Sequence, residues 1–115
     1  MARVNCPHTV AVGPWPTAGV LATVTAADAT NKNATPFAGT FIVIARNSGA
    51  STRAVIINSV ADAVQNRTGD ISDTIATGVT KTYGPFTAEG FRQSGGVLHF
   101  EAAHAEILWT VLRIA

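Results

Sequence analysis

Metal or acid–base chemistry in this 115-residue sequence would have to come mainly from three histidines, one cysteine and seven carboxylates. A structural zinc site wants four Cys or His ligands, usually in close pairs. Cys6 and His8 are two residues apart and His99 and His104 five apart. A Cys/His cluster is therefore conceivable, but neither count nor spacing suits a closed site. His99 reads as a solvent-facing strand residue and His104 as part of the turn before the last strand. Asp62, Asn66, Asp70 and Asp73 offer oxygens, yet their order matches no calcium loop, and Asx side chains in turns normally bond their own backbone. No metal and no cofactor is expected.

Nucleophilic catalysis fares no better. There is no Gly-x-Ser-x-Gly elbow, and Ser48-Gly49 and Ser94-Gly95 read as ordinary turns. Glu101 and Glu106 flank an expected hairpin turn, a poor place for paired carboxylates that must face one cleft. No glycine loop leads into a helix to cradle a phosphate. The chain is expected not to be an enzyme.

The aromatic residues sit mostly in apolar runs and read as core. Trp15 is the exception, because Pro14 and Pro16 hold its backbone extended and make it an anchor for another surface. Only 13% of the residues are charged and 47% are hydrophobic, with a net charge of +1. A surface so poor in charge is badly protected from association, which favours a subunit partly covered by neighbours. The electrostatic footprint of a nucleic-acid binder is missing. No apolar run approaches the roughly 20 residues of a membrane-spanning helix, and the first residues lack the apolar centre of a signal peptide. A soluble protein that stays where it is made until it joins something is the expectation, with neither nucleic acid nor membrane as a partner.

The elements that would position these groups are short and β-rich. Residues 1–16 carry three prolines and read as an extended N-terminal arm, and 17–115 as one β-sandwich domain. Gly19 to Thr25 alternates as a first strand. Phe41 to Ala45 and Ala54 to Ile57 are β-branched runs parted by a turn-rich segment, which predicts an antiparallel pair. Ile71 to Ile75 reads as a short strand or an extended connection, Gly78 to Tyr83 as another strand closed by Gly84-Pro85, and Phe86 to Gln93 could form one helical turn. In Val97 to Glu101 the pattern points Leu98 and Phe100 inward. Glu106 to Ile114 is the strongest strand and is apolar on both faces: Ile107, Trp109 and Val111 on one, Leu108, Thr110, Leu112 and Ile114 on the other. One face must meet the core; the second needs cover from the arm or a neighbour. The fold class is all-β, an antiparallel β-sandwich of jelly-roll-like type with an extended arm. The expected partner contacts are Arg3, Val4, Pro14 and Trp15 on the arm, with Trp109 and Val111 on the last strand.

Three stretches carry a family resemblance: Ala45-Arg46-Asn47-Ser48-Gly49-Ala50, then Asn66-Arg67-Thr68-Gly69-Asp70-Ile71, then Tyr83-Gly84-Pro85-Phe86 with Gly90-Phe91-Arg92-Gln93-Ser94-Gly95-Gly96. In this order they resemble turn motifs of small virion proteins of tailed bacteriophages, over roughly Phe41 to Phe100. The resemblance implies a capsid decoration (cement) protein. Such a protein would be made in the host cytoplasm, sit on the outside of the virion head and bind the major capsid protein and itself as a homotrimer. A tail or head–tail connector subunit would look similar. A carbohydrate-binding β-sandwich module is the alternative from another class, and it would need an exposed aromatic platform.

Overall fold

The computed structural model describes residues 3–10, 21–37, 39–60, 69–87, 90–93 and 96–114. Among them the regular structure is all strand: β1 (Val4–Asn5), β2 (His8–Val10), β3 (Val24–Ala26), β4 (Asn33–Pro36), β5 (Phe41–Asn47), β6 (Arg53–Ile57), β7 (Ile71–Ile75), β8 (Thr80–Phe86), β9 (Val97–Ala102) and β10 (Ile107–Arg113). Period-two alternation and β-branched side chains produce the long ones. In β5, β9 and β10 every second side chain is buried, with half-buried or exposed residues between.

Two sheets pack as a β-sandwich. The first has the order β1-β4-β9-β6-β7, and the second β2-β10-β5-β8. Both are mixed. Their long strands pair antiparallel, while β1 lies parallel to β4 and β2 parallel to β10. β3 pairs antiparallel with residues 108–110 of β10, and β2 takes residues 111–113, so the two short strands follow one another along β10. The described part of the arm is therefore extended, as its prolines require, but it is stitched into both sheets. Between β1 and β2, Cys6 is fully buried in the core.

Inside, Phe100 of the first sheet meets Trp109 of the second edge to face, with centroids 4.8 Å apart and planes at 71°. Val55, Ile57, Ile75 and Leu98 surround them from one side, and Phe41, Val43, Ala45, Ile107 and Val111 from the other, all 0–2% exposed. Leu98 and Phe100 point inward as their alternation predicts. Trp109 and Val111, expected as partner contacts, are instead core residues with no exposed surface. The reason is volume: Trp109 is the largest side chain of its strand, and the gap between the sheets is where it can bury all of it.

Other expectations need correcting. Phe41 to Ala45 and Ala54 to Ile57 do not pair. β5 lies between β10 and β8, and β6 between β9 and β7. Each apolar run thereby gains a partner on both sides, and the turn-rich segment between them carries the chain across the sandwich. The link from Val97–Ala102 to Ile107–Arg113 likewise crosses between sheets and is no hairpin. Gly84-Pro85 does not close a strand. It lies inside β8 as a cis peptide, where Gly84 has a φ of 109° and a Cβ would meet the Phe41 carbonyl at 2.9 Å. Phe86 ends β8, and no helical turn follows it among the described residues. Of the strand expected from Gly19 to Thr25, Gly19 and Val20 lie outside the described residues, and of the rest Val24 and Thr25 are strand, in β3.

Asn47 joins the layers. At the end of β5 its side chain is fully buried, and its Nδ2 donates to the carbonyls of Ser51 (2.7 Å) and Ile75 (2.8 Å). Its Oδ1 accepts the Gly49 N–H at 2.9 Å. Its backbone N–H donates to Val79 O and its carbonyl accepts from Gly78 N. One residue of the second sheet thus fixes the crossing loop, the last carbonyl of β7 and the β7–β8 turn. Replacing Asn47 by Ala should leave the buried Ile75 carbonyl, the part-buried Ser51 carbonyl and the Gly49 N–H without this partner. The expected loss is about 3 kcal/mol of unfolding free energy with the strand content unchanged. Urea titration followed by Trp109 fluorescence measures it.

Candidate interaction surface

Among the described residues, most groups with chemical potential are committed within the domain. Arg3 Nη1 donates to the carbonyls of Asn33 and Phe100, both at 3.3 Å, and Nη2 lies 3.6 Å from Glu101 Oε2. Lys32, in the left-handed region at φ 68°, places Nζ 3.0 Å from the same oxygen. A shallow depression of 150 Å³ beside this pair is otherwise lined by Ile56 and small alanines. His99, on the same strand as Glu101, has its pKa lowered by burial and by the Arg3 charge, with Glu101 pulling the other way.

His104 belongs elsewhere. Its Nδ1 accepts the Glu106 N–H at 3.1 Å and lies 3.5 Å from Glu106 Oε1, which Arg53 holds at 2.8 Å. Gly49 leaves the space in which that carboxylate sits, since a Cβ there would overlap it. The two histidines therefore answer to different carboxylates. Among the described residues no three His, Cys, Asp or Glu side chains gather where a metal could be held. Burial raises the Cys6 thiol pKa, against a hydrogen bond with Thr25, which disfavours the reactive thiolate. The aromatic rings in the described residues are all buried or half-buried, so none forms a stacking platform.

At the β7–β8 side an ion pair ties one sheet to the other. Lys81 Nζ donates to Asp73 Oδ2 at 3.1 Å and to the Thr74 carbonyl at 3.0 Å, and the Tyr83 hydroxyl donates to Asp73 Oδ2 at 2.9 Å. Lys81, the Thr74 N–H and Tyr83 hold the Asp73 carboxyl below its usual 3.8. Burial, then Asp73, pushes the Tyr83 phenol well above its ordinary value.

What remains unaccounted for is apolar. Three rows of residues face outward from the second sheet. The middle row runs Val24, Thr110, Ile44, Thr82; on one side lie Ala26, Leu108, Arg46 and Thr80, and on the other Thr9, Leu112 and Ile42. Ile42, Ile44, Leu108 and Leu112 are half-buried, and Val24 is 59% exposed. Thr9 is turned to local use, its hydroxyl accepting the Thr23 N–H. Arg46 is the one charged side chain in these rows. Each of the ten strands among the described residues belongs to one of the two sheets, and none of these strands lies across this face. Leu21 (94% exposed), Val10 (53%) and Ile114 (44%) flank the same sheet along its β2–β3 side.

Of the expected contacts, Val4 is 38% exposed on the short outer strand β1, Arg3 is spent on Glu101, and Pro14 and Trp15 lie outside the described residues. Sequence reasoning found the second apolar face of the last strand through Leu108 and Leu112. It missed Ile42, Ile44 and Val24 as members of the same surface, because only the pairing of β3, β10 and β5 brings them side by side. Compared with protein-family models, with curated proteins and with solved structures, the chain finds no match.

Two outcomes follow from this geometry. Asp73 has a depressed folded pKa, so its contribution to stability is present above the unfolded value and lost as pH falls through the folded one. The stability gap between wild type and Asp73→Asn, from urea titrations, should be constant from about pH 7 to about pH 5 and close below about pH 4. Elemental analysis of protein purified without added metal should give zinc and calcium far below one per chain.

Proposed function

We propose that this chain is a non-enzymatic structural subunit that works by being packed into a larger assembly. The carrying observation is the outward apolar face of the second sheet, with Ile42, Ile44, Leu108 and Leu112 on its two central strands. Leaving such side chains in water forgoes about 25 cal/mol for each Å² that a neighbour could cover. Commitment of Arg3, Asp73, Glu101 and Glu106 to internal partners supports the same reading, since each carboxylate holds a strand or loop in place.

On the resemblance of its turn motifs, the assembly proposed is a tailed-phage virion and the role that of a decoration protein on the outside of the head, bound to the major capsid protein. Asn47-Ser48-Gly49 and Gly69-Asp70 do lead into strands β6 and β7, whereas Tyr83-Gly84-Pro85-Phe86 is strand rather than turn. The resemblance therefore rests on fewer turns than its motifs suggest. A protein that binds only the assembled lattice stabilises that state by mass action. Many symmetry-related copies add avidity if each touches more than one capsid subunit.

The test has two parts. The gene is expected beside a major capsid protein gene, and the purified protein is expected to sediment with expanded heads made from that capsid protein and to raise the temperature at which they break. A gene in another setting together with no co-sedimentation overturns the decoration reading. Sedimentation with tails or connectors and not with heads moves the role there.

A further inference from the structure

We infer that Asp73 and Lys81 guard the free edge of β7 and keep a second copy of this chain from adding its own β7 to the first sheet. The guard acts against an unwanted contact and stands or falls separately from the proposed role in an assembly.

A strand at the end of a sheet presents unpaired N–H and C=O groups that can template a further strand. Among the described residues, β1 and β7 end the first sheet, β8 ends the second, and β2 and β3 share its other end along β10. Of these, β1, β2 and β3 are only two or three residues long. β8 is broken by Pro85, which has no N–H, and by a register shift opposite Phe41 and Val43. β7 has five residues, neither proline nor glycine, and unbroken register with β6. It needs another defence.

The direction of its backbone groups follows from β6. The Asn58 N–H donates to His99 O and the Ala103 N–H to Ala54 O. Residues 54, 56 and 58 therefore turn their backbone groups toward β9, and the odd-numbered residues of β6 turn theirs toward β7. The partners of those odd residues are Ile71, Asp73 and Ile75, so the N–H and C=O of Ser72 and Thr74 point away from the sheet.

Both outward groups of Thr74 are taken. Its N–H donates to Asp73 Oδ1 at 2.8 Å, and its carbonyl accepts from Lys81 Nζ at 3.0 Å. Lys81 comes from the other sheet and is held by Asp73 Oδ2 at 3.1 Å. Asp73 lies opposite buried Val55, so its carboxylate is on the inward face of an edge strand, where an added neighbour would cover the charge. A strand approaching β7 has to displace Lys81 and break both Thr74 contacts before its ladder can form. Without the guard, two copies of β7 complement each other when antiparallel: Ser72 meets the copy's Ser72, and Thr74 meets the copy's Asp70.

Sedimentation velocity tests this with wild type, the double variant Asp73→Ala/Lys81→Met, Tyr83→Phe, and the triple variant Ser72→Pro/Asp73→Ala/Lys81→Met. The double variant should self-associate at least about tenfold more tightly than wild type, because each copy frees a donor and an acceptor on the edge. Tyr83→Phe removes one hydrogen bond from the same carboxylate and leaves both Thr74 contacts, so it should associate like wild type. General loosening of that corner is thereby separated from loss of the guard. Proline at position 72 removes an N–H that points away from β6, so the native ladder is kept. In the triple variant self-association should return to the wild-type level, a rescue specific to contact through β7.

Equal association of wild type and the double variant, association raised as much by Tyr83→Phe, or a triple variant that still associates each overturns the inference. If a multiple variant unfolds, the wild-type fold carries the test. The Thr74 N–H should exchange with deuterated water at least about tenfold more slowly than in an unstructured chain, and Ser72→Pro alone should leave self-association unchanged. Exchange at the unstructured rate, or association weakened by Ser72→Pro, overturns the inference.

Discussion

The sandwich depends on one buried amide. Asn47 lies where β5 ends, and the hydrogen-bonding capacity of a carboxamide is spent there on three different segments. Two sheets held only by apolar contact could slide or splay at little cost, because dispersion has no direction. A donor that must reach Ile75 O in the other sheet constrains the separation of the layers at that end, since missing it leaves a buried carbonyl unmet, and its bond to Ser51 O holds the crossing loop beside it. The Asp73–Lys81–Tyr83 group fixes the neighbouring side with exposed and therefore weaker contacts. Packing of Trp109 on Phe100 fills the space so defined.

That constraint also explains why the second sheet has an outward apolar face. β5 and β10 are its central strands, and each is β-branched or leucine-rich on both sides. Burial between the sheets uses the Val43 and Trp109 side alone. The first sheet differs: its outward side carries Glu101, Ser72, Thr74 and small alanines. Among the described residues the domain has one polar side and one mostly apolar side, and Arg46 is the charged side chain in the rows of the latter.

Much of the fold could be read from periodicity. The strands from Phe41, Val97 and Glu106 onward, the inward Leu98 and Phe100 and the all-β class follow from alternation and branching, which act within a few residues. Pairing could not be read in this way. That β5 and β6 lie in different sheets depends on Asn47 and on strands distant in sequence. The choice of inner face on β10 depends on the Phe100 ring waiting opposite Trp109, and alternation is silent on which of two apolar faces wins. For the same reason Trp109 and Val111 looked like contact residues, and Ile42, Ile44 and Val24 looked like parts of separate strands. The arm's prolines made it extended; only the free edges of β4 and β10 explain why it pairs.

The partnership of β2 with β10 joins residues 8–10 to residues 111–113, a separation of nearly the whole sequence, and β10 also supplies the ladder for β3 and β5. Loop closure on that scale is entropically slow, so the rate of folding should be governed by the search for β10 rather than by any local hairpin. A nascent chain still lacking β10 has a first sheet that can assemble, while β2, β3 and β5 hold unpaired edges and a half-built core. Such an intermediate is prone to aggregation. During synthesis this aggregation-prone stage lasts until residues 107–113 have emerged and paired.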